Sequence, residues 1–171
     1  RIEKKRYVDA HTSAKVFETY SQKELSYHDR YSPEGLIEIL ENIDQNFDAV
    51  LIADYGHGLL NKSFAKKVAS YPGHIAVNVQ ANAGNRGFNF ISKYPVASFV
   101  SLAEHELRLE MRDNTTYTPK LLNTLAEKFP DWETIYLTAG KNGSYVFSKN
   151  TGQIVCCPAF ANKIVDRVGA G

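Results

Sequence analysis

Residues 48–58 read Asp-Ala-Val-Leu-Ile-Ala-Asp-Tyr-Gly-His-Gly. An unbroken apolar run, Asp48–Ala53, is broken by two glycines, Gly56 and Gly58. Such a short continuous run suits a strand of a parallel sheet, where cover on both faces removes the need for polar positions. The flanking residues agree. Upstream, Ser32 suits a helix N-cap and Pro33 the first helical position, and Leu36, Ile37, Leu40, Ile43 and Phe47 then recur at helical spacing as one buried stripe. Downstream, Asn61 caps a short helix whose Phe64, Ala65 and Val68 face inward, and Tyr71-Pro-Gly73 ends it. Ile75, Val77 and Val79 then alternate in a second strand.

Further along, a polar loop from Gln80 to Gly87 leads to a short helical segment near Phe88–Tyr94, a strand at Ala97–Ala103 and a helix at Glu104–Met111. Thr118-Pro119 repeats the cap-then-proline signature before a helix buried through Leu121, Leu122, Leu125 and Phe129. Thr134–Ala139 reads as strand, and Ser144–Ser148 with Gln153–Pro158 as a hairpin around Asn150-Thr-Gly152. At the other end, Arg1–Ala10 and Ala14–Tyr20 predict a pair of strands, and the basic opening, interrupted by Glu3, reads as a solvated strand face. Alternating strands and helices followed by two antiparallel strands predict an α/β fold, a mostly parallel sheet with helices on both faces. Ligands of such sheets collect at the C-terminal ends of the strands, here Asp54–Gly58, Gln80–Gly87 and Gly140–Gly143. Topology gives the place and does not name the ligand.

Composition narrows the function classes. The 171 residues, 43% hydrophobic and 23% charged, fit one globular domain or most of one. A net charge of +1 argues against nucleic acid or an anionic membrane as partner. No apolar stretch nears the ~18–20 residues that span a bilayer. Met111 is the only methionine, so a chain opening at Arg1 is expected to be processed or excised from something longer. Cys156 and Cys157 are adjacent in a strand and point to opposite faces, which excludes a disulfide framework within one chain and favours the cytoplasm. The five histidines lack zinc-site spacing.

Val165-Asp-Arg-Val-Gly-Ala-Gly171 ends the chain. Two glycines after an apolar strand allow a tight turn, and a helix starting there would aim free N–H groups at an anion, although chain ends are often small residues in any case. The run resembles the Asp-Thr-x-Gly-Ala-Gly-Asp signature of the ribokinase-like carbohydrate kinases, phosphofructokinase-B type. Asp166 matches its first Asp, and Gly169, Ala170 and Gly171 match its anion hole, while Arg167 replaces Thr. The catalytic Asp of the family comes next, one residue beyond Gly171.

Other segments resemble the family in order. Ala53–Gly58 is similar to the Ser-Asp-Tyr-Gly-Lys-Gly loop of its heptose-phosphate kinases, with His57 where lysine faces the substrate phosphate. The resemblance makes Asp54, Gly56, His57 and Gly58 substrate-binding; by themselves they equally describe a strand-ending turn. Ser101-Leu-Ala-Glu104 is similar to the Asn-x-x-Glu element, which implies magnesium near Glu104 and nucleotide near Ser101; a Glu opening a helix also simply favours the helix dipole. Thr138-Ala-Gly-Lys-Asn-Gly143 resembles the Thr-x-Gly-x-x-Gly turn that lies against ATP, which assigns Thr138, Gly140, Lys141 and Gly143, and is also sound hairpin chemistry. Gln80–Gly87 is unlike the family's loop. Asn82 suits sugar hydroxyls and Arg86 a phosphate or carboxylate, and a polar turn-forming loop is the alternative.

The resemblance, running from about Ala14 onward, implies a three-layer α/β/α sandwich, of which residues 1–171 form the central and C-terminal-central part of one kinase domain, truncated at both ends. It implies a parent enzyme using ATP and Mg2+ to phosphorylate a sugar or sugar-phosphate hydroxyl, in the cytoplasm, with a homodimer as its assembly and no nucleic acid or membrane partner. The piece itself is expected to be inactive. A kinase-like domain that binds its ligand without catalysis is the alternative, motivated by His57, Ser101 and Arg167. A dehydrogenase-type nucleotide domain is disfavoured, because no Gly-x-Gly-x-x-Gly follows any strand.

Overall fold

A computed structural model describes residues 2–12, 14–22, 33–42, 47–82 and 84–160. They fall into two units. The first contains β1 (Ile2–Val8) and β2 (Lys15–Gln22), an antiparallel pair in which Arg6 faces Glu18 and Tyr7 faces Phe17. Tyr7 and Phe17 stack with ring centroids 4.3 Å apart, and Lys4, Arg6 and Lys15 all reach Glu18. The basic strand is thus balanced across the hairpin. Asp9 fastens the turn, accepting from the Thr12 amide at 2.7 Å and the His11 amide at 3.1 Å.

The second unit is α/β. It comprises α1 (Pro33–Asn42), β3 (Ala49–Asp54), α2 (Lys62–Val68), β4 (His74–Val79), β5 (Ala97–Ala103), α3 (Glu104–Met111), α4 (Thr118–Lys128), β6 (Trp132–Thr138), β7 (Ser144–Ser148) and β8 (Gln153–Cys157). The strands lie in sequence order in one six-stranded sheet, parallel from β3 to β6 and antiparallel from β6 to β8. Parallel neighbours need crossovers, and α2 and the α3–α4 pair supply two of them. Among the described residues, the helical structure of the β4–β5 crossover is a 3-10 turn, Ile91–Lys93, where the sequence pattern predicts a longer helical segment.

Ile52, Val77, Val100 and Ile135 form one row across the sheet and meet Phe64, Val68, Leu107, Leu122 and Leu125 of the helices in a single core. Fully burying each such side chain stabilises by about 1.5–3 kcal/mol. Trp132 closes the lower end, donating its indole N–H to the Tyr94 carbonyl at 2.9 Å and stacking on Phe129. Leu51, of opposite parity to Ile52, is 79% exposed. Among the described residues, then, this face of β3 is left open at Leu51, at the edge of an otherwise α/β arrangement.

Local expectations hold with some corrections. Asn61 caps α2 through its side-chain oxygen, 2.9 Å from the Phe64 amide, and Phe64, Ala65 and Val68 are buried. Phe47 lies beyond α1 and is exposed, so it does not join the stripe of Leu36 and Leu40. Ser32 and Ile43 lie outside the described residues. Thr118 is the first residue of α4 and does not cap it; its hydroxyl turns to Glu104. Cys156 and Cys157 are free and exposed.

Candidate functional site

Parallel pairing aligns the C-terminal ends of β3 to β6 along one edge, with Asp54 beside Val79 and Ala103 beside Thr138. Every predicted site residue in the described part except Ser101, which sits inside β5, lies at a strand end or in the loop that follows. The edge divides into two sides of different construction.

On the first side, after β3 and β4, the polar groups are turned upon each other. Asp54 is 3% exposed. Its carboxylate forms an ion pair with Lys93 and accepts from the Tyr94 hydroxyl and the Gly56 amide, each at 2.9 Å. Lys93 also donates to the Leu60 carbonyl at 2.8 Å and to the Asn89 side-chain oxygen at 3.0 Å. Burial, and then the Asp54 carboxylate, push the Tyr94 hydroxyl far above the ordinary tyrosine range, so it remains a donor. Above this charged layer sit three amides. Asn89 donates to the carbonyls of Asp54 and Gln80, both at 3.3 Å. Asn85 donates to the carbonyls of Tyr55 at 2.8 Å and Gln80 at 3.2 Å. Asn82 donates to Tyr55 at 2.9 Å, while its oxygen accepts from the Gly84 amide at 2.9 Å.

The loop expected to offer amides to a ligand therefore spends Asn82 on its own architecture, as β3 spends Asp54. Both point at the backbone or at Lys93. Gly56 is required for this closeness: its φ is +70°, and a Cβ there would overlap the Asn85 amide nitrogen and approach that of Asn89 to 2.8 Å. Gly58, with φ +90°, has open space around it. The exposed groups are His57, Arg86, Tyr55 and Phe88, and among the described residues neither His57 nor Arg86 joins an ion pair.

On the second side, β5 and β6 deliver Glu104 and the Thr138–Gly143 turn on neighbouring strands. One carboxylate oxygen of Glu104 accepts from Thr118 at 2.6 Å and Arg108 at 2.7 Å. The Thr118 bond first, and then Arg108, hold the Glu104 carboxyl below the usual range, so it is ionised at neutral pH. The turn closes with the Ala139 amide on the Gly143 carbonyl at 2.8 Å, and Gly140 and Gly143 both have positive φ. At Gly143 a Cβ would strike the backbone of Cys157 and Pro158, whereas at Gly140 nothing lies within 4 Å. Lys141 is exposed in this turn. Ser101 is half-buried within β5, and its carbonyl accepts from the Asn78 side chain. Asp166, Gly169, Ala170 and Gly171 lie outside the described residues.

Glu106 joins the two sides. Its carboxylate accepts from the Ala103 amide at 2.7 Å, as an N3 glutamate does at a helix start, and from the Ala81 amide at 2.8 Å. The sequence reading missed Glu106, Lys93, Tyr94, Asn85 and Asn89. Only Glu106 carried a signal, its place three residues after the strand end.

This sheet, four parallel strands continued by two antiparallel ones, superposes on solved kinases. Escherichia coli phosphofructokinase-2 in complex with fructose-6-phosphate superposes with a TM-score of 0.65 over 97% of this chain and 54% of that one, at 10% identity. The chain has the ribokinase-like fold. Giardia lamblia ribokinase superposes at a TM-score of 0.62 and 13% identity over 95% of this chain and 50% of that one. Arabidopsis thaliana ribokinase complexed with ribose and ATP gives 0.55 at 16% identity over 83% and 46%. Among curated proteins, the bifunctional protein HldE of Syntrophotalea carbinolica is 28% identical over 147 residues, 80% of this chain and 27% of that protein. The chain thus spans about a quarter of that relative's length and about half that of the solved kinases. No family model matches it.

Proposed function

We propose that this chain is part of an ATP-dependent kinase that phosphorylates a hydroxyl of a sugar or sugar phosphate in the cytoplasm. The observation that carries the reading is the division of one ribokinase-like sheet edge. An ionised Glu104 and a glycine turn stand on one side, and exposed cationic candidates, His57 and Arg86, stand on the other. The likeness to kinases solved with fructose-6-phosphate, and with ribose and ATP, supports it.

In this reading the nucleotide lies against Thr138–Gly143, where tight turns let backbone N–H groups approach phosphate. Arg86 and His57 meet an anionic group on the acceptor, Arg86 at any pH and His57 when protonated. Asp54 and Asn82 act through the loops that they hold. Magnesium, when bound, neutralises phosphate charge. Among the described residues no three His, Cys, Asp or Glu side chains gather as a metal cage. The donor set fits an ion carried mainly by nucleotide phosphates and water, with one ionised carboxylate, Glu104, nearby. The small residues Gly169, Ala170 and Gly171, preceded by Asp166, supply the anion hole by resemblance alone.

The test is ADP release by the complete gene product with ATP, magnesium and a panel of sugars and sugar phosphates. Turnover of at least one acceptor is expected from the complete product, and none from residues 1–171 alone. ATP binding without turnover of any acceptor would instead favour a kinase-like binding module. The pairing of Glu104 with Arg108, which leaves less charge for a metal, is the observation on that second reading's side.

A further inference from the structure

The side chain of Asn85 is 7% exposed and makes bonds to three backbone groups in two loops. Its N–H groups reach the carbonyls of Tyr55 and Gln80, and its oxygen takes the Asn82 amide at 2.7 Å. The first of these spans 30 residues of sequence. Opposite it, Gly56 leaves no room for any side chain. Asn82 adds a second donor to the same Tyr55 carbonyl, and Asn89 fastens the base of both loops. His57 follows the anchored Tyr55-Gly56 pair directly, and Arg86 follows Asn85 itself. Two exposed groups that can carry positive charge are therefore carried on two loops that Asn85 ties together through three bonds, with Asn82 and Asn89 beside it.

We infer that Asn85 is a positioning residue: by joining the loops it holds His57 and Arg86 in fixed relation and so sets the affinity for an acceptor bearing a phosphate or carboxylate. This rests on the kinase reading above. Asn85 touches no ligand, and its role is to remove the freedom that an anion would otherwise have to take from two independent loops.

The decisive variant is Asn85→Asp. It keeps the shape and replaces two N–H donors by oxygen lone pairs facing two carbonyl oxygens, so the tie loosens at Tyr55 and Gln80 while Asn82, Asn89 and the Gln80 amide still bridge the loop bases. In the complete enzyme, KM for a phosphorylated or carboxylated acceptor should rise by about tenfold, with KM for ATP and kcat within about twofold. Hydrogen exchange should speed up in residues 55–58 and 80–87 and stay unchanged in residues 139–143. Arg86→Ala should reproduce the rise in acceptor KM without the change in exchange. An unmoved acceptor KM, a parallel rise for ATP, or faster exchange throughout the chain would each overturn the positioning role. A wild type that phosphorylates no sugar or sugar phosphate defeats the kinase reading and this role with it. Normal wild-type turnover with an unmoved acceptor KM in Asn85→Asp defeats the role alone.

Discussion

The two sides of the sheet edge use polar residues in opposite ways. After β3 and β4, an ion pair built on the buried Asp54 and three asparagines are consumed in holding two loops together, and the exposed chemistry is left to His57 and Arg86. After β5 and β6, the loops are short, the turn closes through its own backbone, and Glu104 is held by one arginine and one threonine. The difference teaches that amide density in a loop does not measure its capacity to bind sugar hydroxyls. A long crossover without a regular helix has many backbone groups to satisfy, and buried side-chain amides are one way to satisfy them.

If the first side is built around its buried charges, removing one should do the most damage anywhere in the chain. Lys93→Met leaves the Asp54 carboxylate buried without its counter-charge, a change expected to cost about 3–5 kcal/mol. Replacing both residues, as Asp54→Leu with Lys93→Met, should cost clearly less than the sum of the single changes. Urea unfolding of the four proteins measures this. Additive losses would show that the pair is not a coupled unit.

Glycine substitutions sharpen the contrast. Gly56→Ala meets both an unfavourable φ and the Asn85 amide, and about 2–4 kcal/mol should be lost. Gly140→Ala, with φ +54° and open space, carries only the backbone term of about 1–2 kcal/mol. Equal losses at the two positions, read as shifts of the urea midpoint, would mean that the amide loop yields to a methyl group and is not closely fitted.

Most of the framework was legible from residue pattern. The apolar run at 48–53, the alternation of Ile75, Val77 and Val79, and the Asn61 cap rest on local periodicity and capping, and β3, β4 and α2 form where these place them. Thr118-Pro119 misled because proline at the second helical position suits a cap one residue earlier just as well. The site was legible as a place and less so as chemistry. Asp54, Asn82 and Arg86 are alike as polar loop residues in a sequence, yet the partners that fix the first two, Lys93 and Tyr55, are distant in sequence, and Arg86 stays exposed. Nothing local announces that Lys93, at the end of a 3-10 turn, will reach the buried Asp54 carboxylate.

The bond from Glu106 to Ala81 is where the two sides can be uncoupled. Glu106→Ala frees the amides of Ala81 and Ala103, and about 1–2 kcal/mol should be lost. If the sides are separate constructions, hydrogen exchange should quicken at residues 80–82 and 103–106 and leave Gly56 and residues 139–143 as they were. Spread of the effect to both loops would make the edge a single unit.

The smallest effect belongs to Glu104, and pH gives it a signature of its own. Its folded carboxyl lies below the ordinary value of 4.5, mainly through the Thr118 hydroxyl and next through Arg108. A depressed carboxyl contributes stability that is present above the unfolded value and is lost as pH falls through the folded one. Glu104→Gln keeps a hydrogen-bond acceptor and removes the charge, so it should cost about 1 kcal/mol at pH 7, a modest figure because the pair is partly exposed to solvent. The gap between wild type and variant should hold down to about pH 5 and narrow below about pH 4.5, because the unfolded chain's carboxyl then takes up its proton before the folded one does. Chemical unfolding at a series of pH values between 3 and 7 reads this directly. A gap that widened on acidification would mean that the carboxyl is raised, and that Arg108 and Thr118 do not hold it as a charged group beside the turn.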